Sequence, residues 1–492
     1  MVLSLIGNLA FAQIPFDVGS RAQLFVDQTL VRSAQNVAFT LHPATKHPKN
    51  PLIKVDREED GWRIALCGSV MYDEDERLFK MWYLGNNTLY ATSRDGLAWQ
   101  KDPETCWKGY MFASVIKDKT DPDPARRYKI IAWCPNAPGV TTPGYPSSMR
   151  SGYNTSVSPD GEQISVFNKE KTICPNGDVI TGYYDRQRQL YIAFPKIMTQ
   201  VGKFRRRCFY TITSKDFVNW TEPKPAFIPD ERDDAGSLAR IEEARSILCV
   251  PDNPKMVRTE FYGIGVYQHE SCVLAFPWIF TINNTGPVGP QEGPGEVQLA
   301  VSRDLETWER PFRTPVIPRG KACPERSERA SEWDCGFFWT PNEAIRVGDE
   351  IWLYYAASNY GHGNPCQKKD EGRLTKYTAS IGLATWKLDR FVSVRAENAA
   401  GGALTTVPIT FTGNRLELNA ATKNGGSIVV EILDMSGKTL ARSKPFDGDD
   451  LRRRVEWAEN VELGKLAGRP VTLRFHLKDA ELYSFAFRVN AP

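Results

Sequence analysis

A short frame, Ser-basic-Asp-x-x-x-Trp, is written three times along this chain: "SRDGLAW" at 93–99, "SKDFVNW" at 214–220 and "SRDLETW" at 302–308. With only 13 tryptophans in 492 residues, three such copies at wide intervals point to an internal repeat, and a repeat constrains the fold more than any single element does. Two degraded copies complete the series. "NTSVSPDGEQISVF" (154–167) keeps Ser158, Asp160 and Gly161 but has Phe167 in place of the Trp, and "ASIGLATWKLDRF" (379–391) keeps Trp386 without the Asp turn. Matching strand-turn-strand pairs precede the copies, as in "IALCGSVMYDEDERLFKMWYLG" (64–85) and "VITGYYDRQRQLYIAFPKI" (179–197). A four-stranded unit repeated five times between about residues 60 and 390 reads as a five-bladed β-propeller with long loops. In that reading the Asp makes the turn after the third strand. The Trp opens the outer strand and is largely buried between blades, so the frame is scaffold.

Two segments interrupt the blades. "DERDDAGSLARIEEARSIL" (230–248) carries helix formers with Asp233 and Asp234 as caps, a helical insertion between the third and fourth blades. "CPERSERASEW" (323–333) is a biased run suited to an exposed loop. After Phe391 the texture changes to short alternating strands such as "RLELNAAT" and "PVTLRFHLKDAELYSFAFR", with a Met435-Ser436-Gly437 hairpin turn. The expected organisation is therefore an export signal over 1–12, a propeller over 13–392 and a β-sandwich over 393–492, an all-β chain. The signal reading rests on the apolar "MVLSLIGNLAFA" ending in Ala-Phe-Ala, which would be cut after Ala12 and send the chain to the periplasm or outside the cell.

Charge and cysteine usage narrow the function classes. A net charge of +3, dispersed along the chain, asks for no nucleic acid, and the clusters "FRRRCFY" and "LRRRVEW" suit solvated or ion-paired strands. The ten cysteines form no C-x-x-C pair and sit mostly in apolar strands as small buried hydrophobes. With five histidines and no ligand-like pair, neither a metal nor another cofactor is implied. No stretch is long and apolar enough to span a bilayer as a helix, and the sequence is silent on oligomeric state.

A propeller followed by a sandwich, with "LFVDQTLV" (24–31), "DPDPARRYK" (121–129), "DERDD" (230–234), "DEIWLYYAASNYGHG" (349–363) and "LYSFAFR" (482–488), resembles the glycoside hydrolase family 32-like proteins, relatives of the family 32 and 43 five-bladed enzymes. The likeness covers nearly the whole chain. The W-x-N-D-P-N-G signature of invertases is absent, so fructan cleavage is not implied. What the resemblance does imply is a pair of carboxylates on the inner strands of successive blades.

Glycosidic cleavage needs one protonated and one ionised carboxyl flanking the bond. Acids expected just before the first strand of each unit are Asp60, Asp118, Asp178, Glu260 and Asp334. Asp178 and Glu260 stand out because each runs straight into an aromatic-rich strand, whereas Asp118 lies in a turn-like basic segment. The relatives use a Glu acid in the third blade; this chain has Asp178 there and Glu260 in the fourth. The resulting expectation is a carbohydrate hydrolase acting on O-glycosyl bonds, with Glu260 as general acid and Asp178 or Asp60 as base or nucleophile. Asp334, Trp333, His362 and Arg207 would hold the sugar. Glu260→Gln is then expected to remove turnover and leave folding intact. The alternative is a non-catalytic carbohydrate-binding propeller, and a third reading is a protein-interaction scaffold.

Overall fold

The computed structural model describes residues 14–134, 152–168, 173–174, 177–248, 250–286, 289–322, 332–363 and 377–489. The expected signal segment and most of the Arg-Ser-Glu run lie outside them. The chain divides into two compact units, one of residues 43–387 and one joining 1–42 to 388–492.

The 43–387 unit is a five-bladed propeller. Blade I is the meander Ala65–Asp73, Leu78–Leu84, Thr88–Ser93 and Gln100–Trp107. Blade II is Met111–Lys117, Tyr128–Cys134, Gly152–Ser158 and Ser165–Val166, and blade III is Ile180–Asp185, Leu190–Val201, Phe204–Ser214 and Lys224–Phe227. In blade IV, Arg258–Gln268 and Val273–Ile282 are followed by a third strand split into Gly295–Val297 and Ala300–Ser302. An isolated Val301–Glu309 bridge takes the outer position. Blade V closes the ring: Phe338–Trp339, Glu350–Ser358 and Ala379–Lys387 accept Thr45–Lys46, from the other end of the chain, as the outermost strand. That pairing locks the first residues of the unit to its last strand.

The repeated frame makes one local device four times. Asp95 Oδ1 accepts the Leu97 and Ala98 N–H groups (both 2.8 Å) while Ser93 Oγ accepts from Gly96 (2.9 Å). Asp160, Asp216 and Asp304 repeat the arrangement. The residue after each Asp is left-handed, with φ of 72° at Gly96, 87° at Gly161, 64° at Phe217 and 68° at Leu305. The frame's indoles reach the preceding blade: Trp99 meets Tyr354 of blade V edge-on at 5.6 Å, and Trp308 lies 4.9 Å from Phe227 of blade III. Trp220 joins a cluster containing Ile131 and Tyr153 of blade II. All three remain half-buried instead of largely buried, because the turn holds them at the outer margin of the blade.

One residue ties the centre of the ring together. Blade V's inner strand breaks after Trp339 at Thr340-Pro341, since proline has no N–H for a ladder. Asn342 is thereby released towards the other blades. Its backbone N–H donates to Gly68 of blade I (2.9 Å), its carbonyl accepts from Val266 of blade IV (2.8 Å), and its amide donates to Gly182 of blade III (2.9 Å) and Val115 of blade II (3.4 Å).

The helical insertion lies between blades III and IV as helices Glu231–Ala235 and Ser237–Glu243. The cap is Asp230, not Asp233 or Asp234. Asp233 closes the capping box from the third helical position and is gripped by Arg310 (2.7 and 2.8 Å) and Arg313 (2.7 Å). Burial works to raise its carboxyl, but the two guanidiniums bring it to about 2.

In the second unit, strands assigned from sequence to the propeller's start pair instead with C-terminal strands. Val31–Gln35 joins Gly402–Thr406, and Val37–Leu41 joins Val392–Ala396. The long antiparallel strands Arg415–Leu433 and Thr472–Arg488 hold these together in one nine-stranded sheet. Phe25, Leu404, Phe475 and Phe485 pack into its core.

Candidate functional site

The five expected acids do not share one environment. Asp178, Lys196 and Arg207 from blade III meet Glu260, Tyr262 and Phe280 from blade IV. Phe337 and His362 from blade V complete the group. Blade I adds Arg63, which with Cys67 acts electrostatically on Tyr262. The group gathers around the starts of inner strands. Asp178 stands two residues before Ile180–Asp185, and Tyr262 lies near the start of Arg258–Gln268.

Asp178 is the accessible carboxylate, its side chain 32% exposed. It pairs with the buried Lys196 ammonium and accepts the Val179 N–H (2.5 Å). Burial would raise this carboxyl, yet Lys196, the Val179 N–H and Arg207 hold it below the usual aspartate range. Asp178 is therefore an anion at neutral pH. Lys196 also sits 4.5 Å above the Tyr262 ring, and burial together with Asp178 pushes the Tyr262 phenol up.

Glu260 is 0% exposed. Arg207 Nη1 grips Oε2, and Arg258 holds Oε1 through Nε (2.8 Å) and Nη2 (2.7 Å). Both Glu260 oxygens are thus taken up by guanidinium donors, and neither reaches solvent. Arg207 is a clamp, but on Glu260; its guanidinium also lies over Tyr262 (5.3 Å) and Phe280 (5.5 Å).

His362 comes from the loop after Glu350–Ser358 and packs against Tyr262 (5.0 Å), Phe280 (5.1 Å) and Phe337 (5.1 Å). The other sequence candidates turn elsewhere. Asp60 faces into blade I, bonded by Tyr83 (3.1 Å), Lys101 (2.5 Å) and the Asp56 and Arg57 N–H groups. Asp334 anchors the ring closure, taking Lys46 of the closing strand (2.7 Å) and Tyr355 (2.8 Å), while Trp333 stacks on Tyr355 at 5.4 Å. Asp118 follows its inner strand, Met111–Lys117, instead of preceding it, and binds Tyr191 of blade III. Each of these three is a buried tie between strands.

Residues not anticipated include Lys196, Tyr262, Arg63 and Trp62. Trp62 is 46% exposed, with the Arg63 guanidinium stacked 4.5 Å from its ring. An exposed indole beside charged side chains suits the apolar face of a sugar. The signal lies in "DGWRI", where Trp62 and Arg63 follow Asp60 within three residues. Cys67 is a poor nucleophile, since burial pushes its thiol well up. Among the described residues no cluster of His, Cys, Asp and Glu suits a metal ion.

No family model matches the chain, and no curated protein matches it. Solved structures of similar trace include an N-acetylgalactosamine deacetylase from F. plautii in complex with blood group B trisaccharide. It is 14% identical, and the match covers 73% of this chain and 97% of that one at a TM-score of 0.40. A β-1,2-mannobiose phosphorylase from Listeria innocua is 11% identical, covering 70% and 97% at 0.42. An exo-inulinase from Aspergillus awamori is 10% identical, covering 90% and 99% at 0.39. These are loose likenesses, and the fold rests on the hydrogen-bonded sheets described above.

Proposed function

We propose that the propeller is an exported carbohydrate-active enzyme of the glycoside hydrolase type, acting where blades I, III, IV and V meet. The observation that carries this reading is Asp178. It is a solvent-reachable, ionised carboxylate set beside aromatic rings, which is what a base, nucleophile or sugar-hydroxyl acceptor requires. In this reading Trp62 stacks on a sugar ring and Asp178 takes a proton or accepts a hydroxyl. Glu260 acts indirectly, fixing Arg207 against Tyr262, and is a positioning residue. The family 32-like resemblance in the sequence supports the same substrate class.

A second reading, sugar binding without cleavage, is favoured by one observation. Both Glu260 oxygens are held by arginines and the side chain is 0% exposed, so it is poorly placed to reach a glycosidic bond as the second carboxyl of a two-carboxylate mechanism. Hydrolysis and binding of a glycan panel, measured side by side for wild type and Asp178→Asn, separate the two. The enzyme reading expects wild-type cleavage that falls at least a hundredfold in Asp178→Asn with binding retained. Wild-type binding without release of reducing ends, weakened by the same substitution, leaves the binding reading. Sequencing the N-terminus of protein recovered outside the cell tests export and cleavage after Ala12.

A further inference from the structure

Among the described residues of this group, three cations, Lys196, Arg207 and Arg258, pair with two carboxylates, Asp178 and Glu260, and a fourth cation, Arg63, pairs with neither. Arg207 and Arg258 share Glu260, and Lys196 is taken by Asp178. Arg63 is left over. It forms no ion pair among the described residues, and its Nη1 is buried without a hydrogen-bond partner. The guanidinium is held between two indoles, 4.5 Å from Trp62 and 5.9 Å from Trp339. The nearest acid in sequence, Asp60, is spent on Lys101 and Tyr83 inside blade I. A half-buried guanidinium fixed by rings and without an acid partner is preorganised for a planar or tetrahedral oxyanion. The adjacent exposed Trp62 offers a face for a sugar ring in the same place.

From this geometry we infer that the glycan bound here is acidic, carrying a carboxylate or sulfate ester that Arg63 engages while its ring stacks on Trp62. The inference rests on the carbohydrate reading and sharpens it: a neutral glycan would leave Arg63 without a counter-charge. Carboxylate and sulfate present the same oxyanion chemistry, so the test carries both.

Calorimetric titration of the full chain would compare an oligogalacturonate, the same oligosaccharide with its carboxylates reduced to alcohols, and a sulfated galactan oligosaccharide. At least one acidic probe is expected to bind about tenfold or more tightly than the neutral one, with the advantage shrinking in high salt. Arg63→Gln should bring the ratio of acidic-probe to neutral-probe affinity to about one, whatever the loss of its stack on Trp62 does to both. Arg63→Lys, which keeps the charge, should retain part of the advantage, and melting curves would confirm that both variants fold. Equal affinity for acidic and neutral probes would overturn the inference while leaving the carbohydrate reading standing. An acidic preference that survives in Arg63→Gln would also overturn it. Binding of none of the three probes, or of any neutral glycan in the wider panel, would overturn both.

Discussion

Glu260 has Arg207 on one carboxylate oxygen and Arg258 on the other, with no solvent access. Replacing it by Gln would leave two buried guanidiniums short of a counter-charge, and breaking a buried pair in this way costs about 3–5 kcal/mol. Glu260→Gln should therefore unfold at markedly lower denaturant concentration than wild type. A variant as stable as wild type would return Glu260 to the role of proton donor that its sequence position suggested. Asp178 differs because its carboxylate is partly hydrated and its pKa is depressed in the fold. A depressed carboxyl stabilises the fold fully above its unfolded value, about 3.9, and loses that contribution as pH falls through the lower folded value. The stability gap between wild type and Asp178→Asn should be constant from neutral pH to about 5 and shrink as the pH falls below the unfolded value of about 3.9. A gap that instead widened on acidification would mean that Asp178 is protonated in the fold.

The Ser-Asp turn is the element that recurs, and its bonds span only two or three residues. In each copy the Asp carboxylate takes two backbone N–H groups that the bend leaves unpaired. Loss of one such cap costs about 0.5–2 kcal/mol, so Asp304→Ala should lower unfolding free energy by about 1 kcal/mol. An unchanged denaturation midpoint would assign the turn to Trp308 packing alone. This locality is why the frame, and the blades it punctuates, could be read in the sequence. The site could not be read so fully, because its membership depends on which way a side chain turns. Asp60, Asp178 and Asp334 look alike before an aromatic strand. Their fates are decided by Lys101, Lys196 and Lys46, which lie 41, 18 and 288 residues away in sequence. Arg258 was equally invisible, since a basic residue two places before a Glu in a strand reads as surface until its face is known.

At the scale of the propeller, five sheets surround an axis, and their inner strands must satisfy one another where no ladder continues. Small hydroxyls do this between neighbours: Ser69 Oγ accepts the Val115 N–H (2.7 Å), Ser114 Oγ accepts that of Gly182 (3.0 Å), and Thr181 donates to Ile264. Asn342 does it for the whole ring, bonding from blade V to the other four. Asn342→Leu keeps the branching of the side chain and the backbone bonds, at a larger volume, but strands the buried Gly182 and Val115 carbonyls. A stranded buried acceptor costs about 1–3 kcal/mol, and the two here are unequal because the Val115 bond is long. We expect a loss of about 2–4 kcal/mol in one cooperative transition, since blades joined at their centre should fail together. Urea unfolding followed in parallel by far-UV dichroism and tryptophan fluorescence would test this. Two separated transitions, with fluorescence changing first, would mean that the blades hold independently and that Asn342 fills the axis without binding it. Coincident curves with a shifted midpoint would make the amide a structural pin that keeps the strand starts, and with them Asp178, Arg63 and Tyr262, in register.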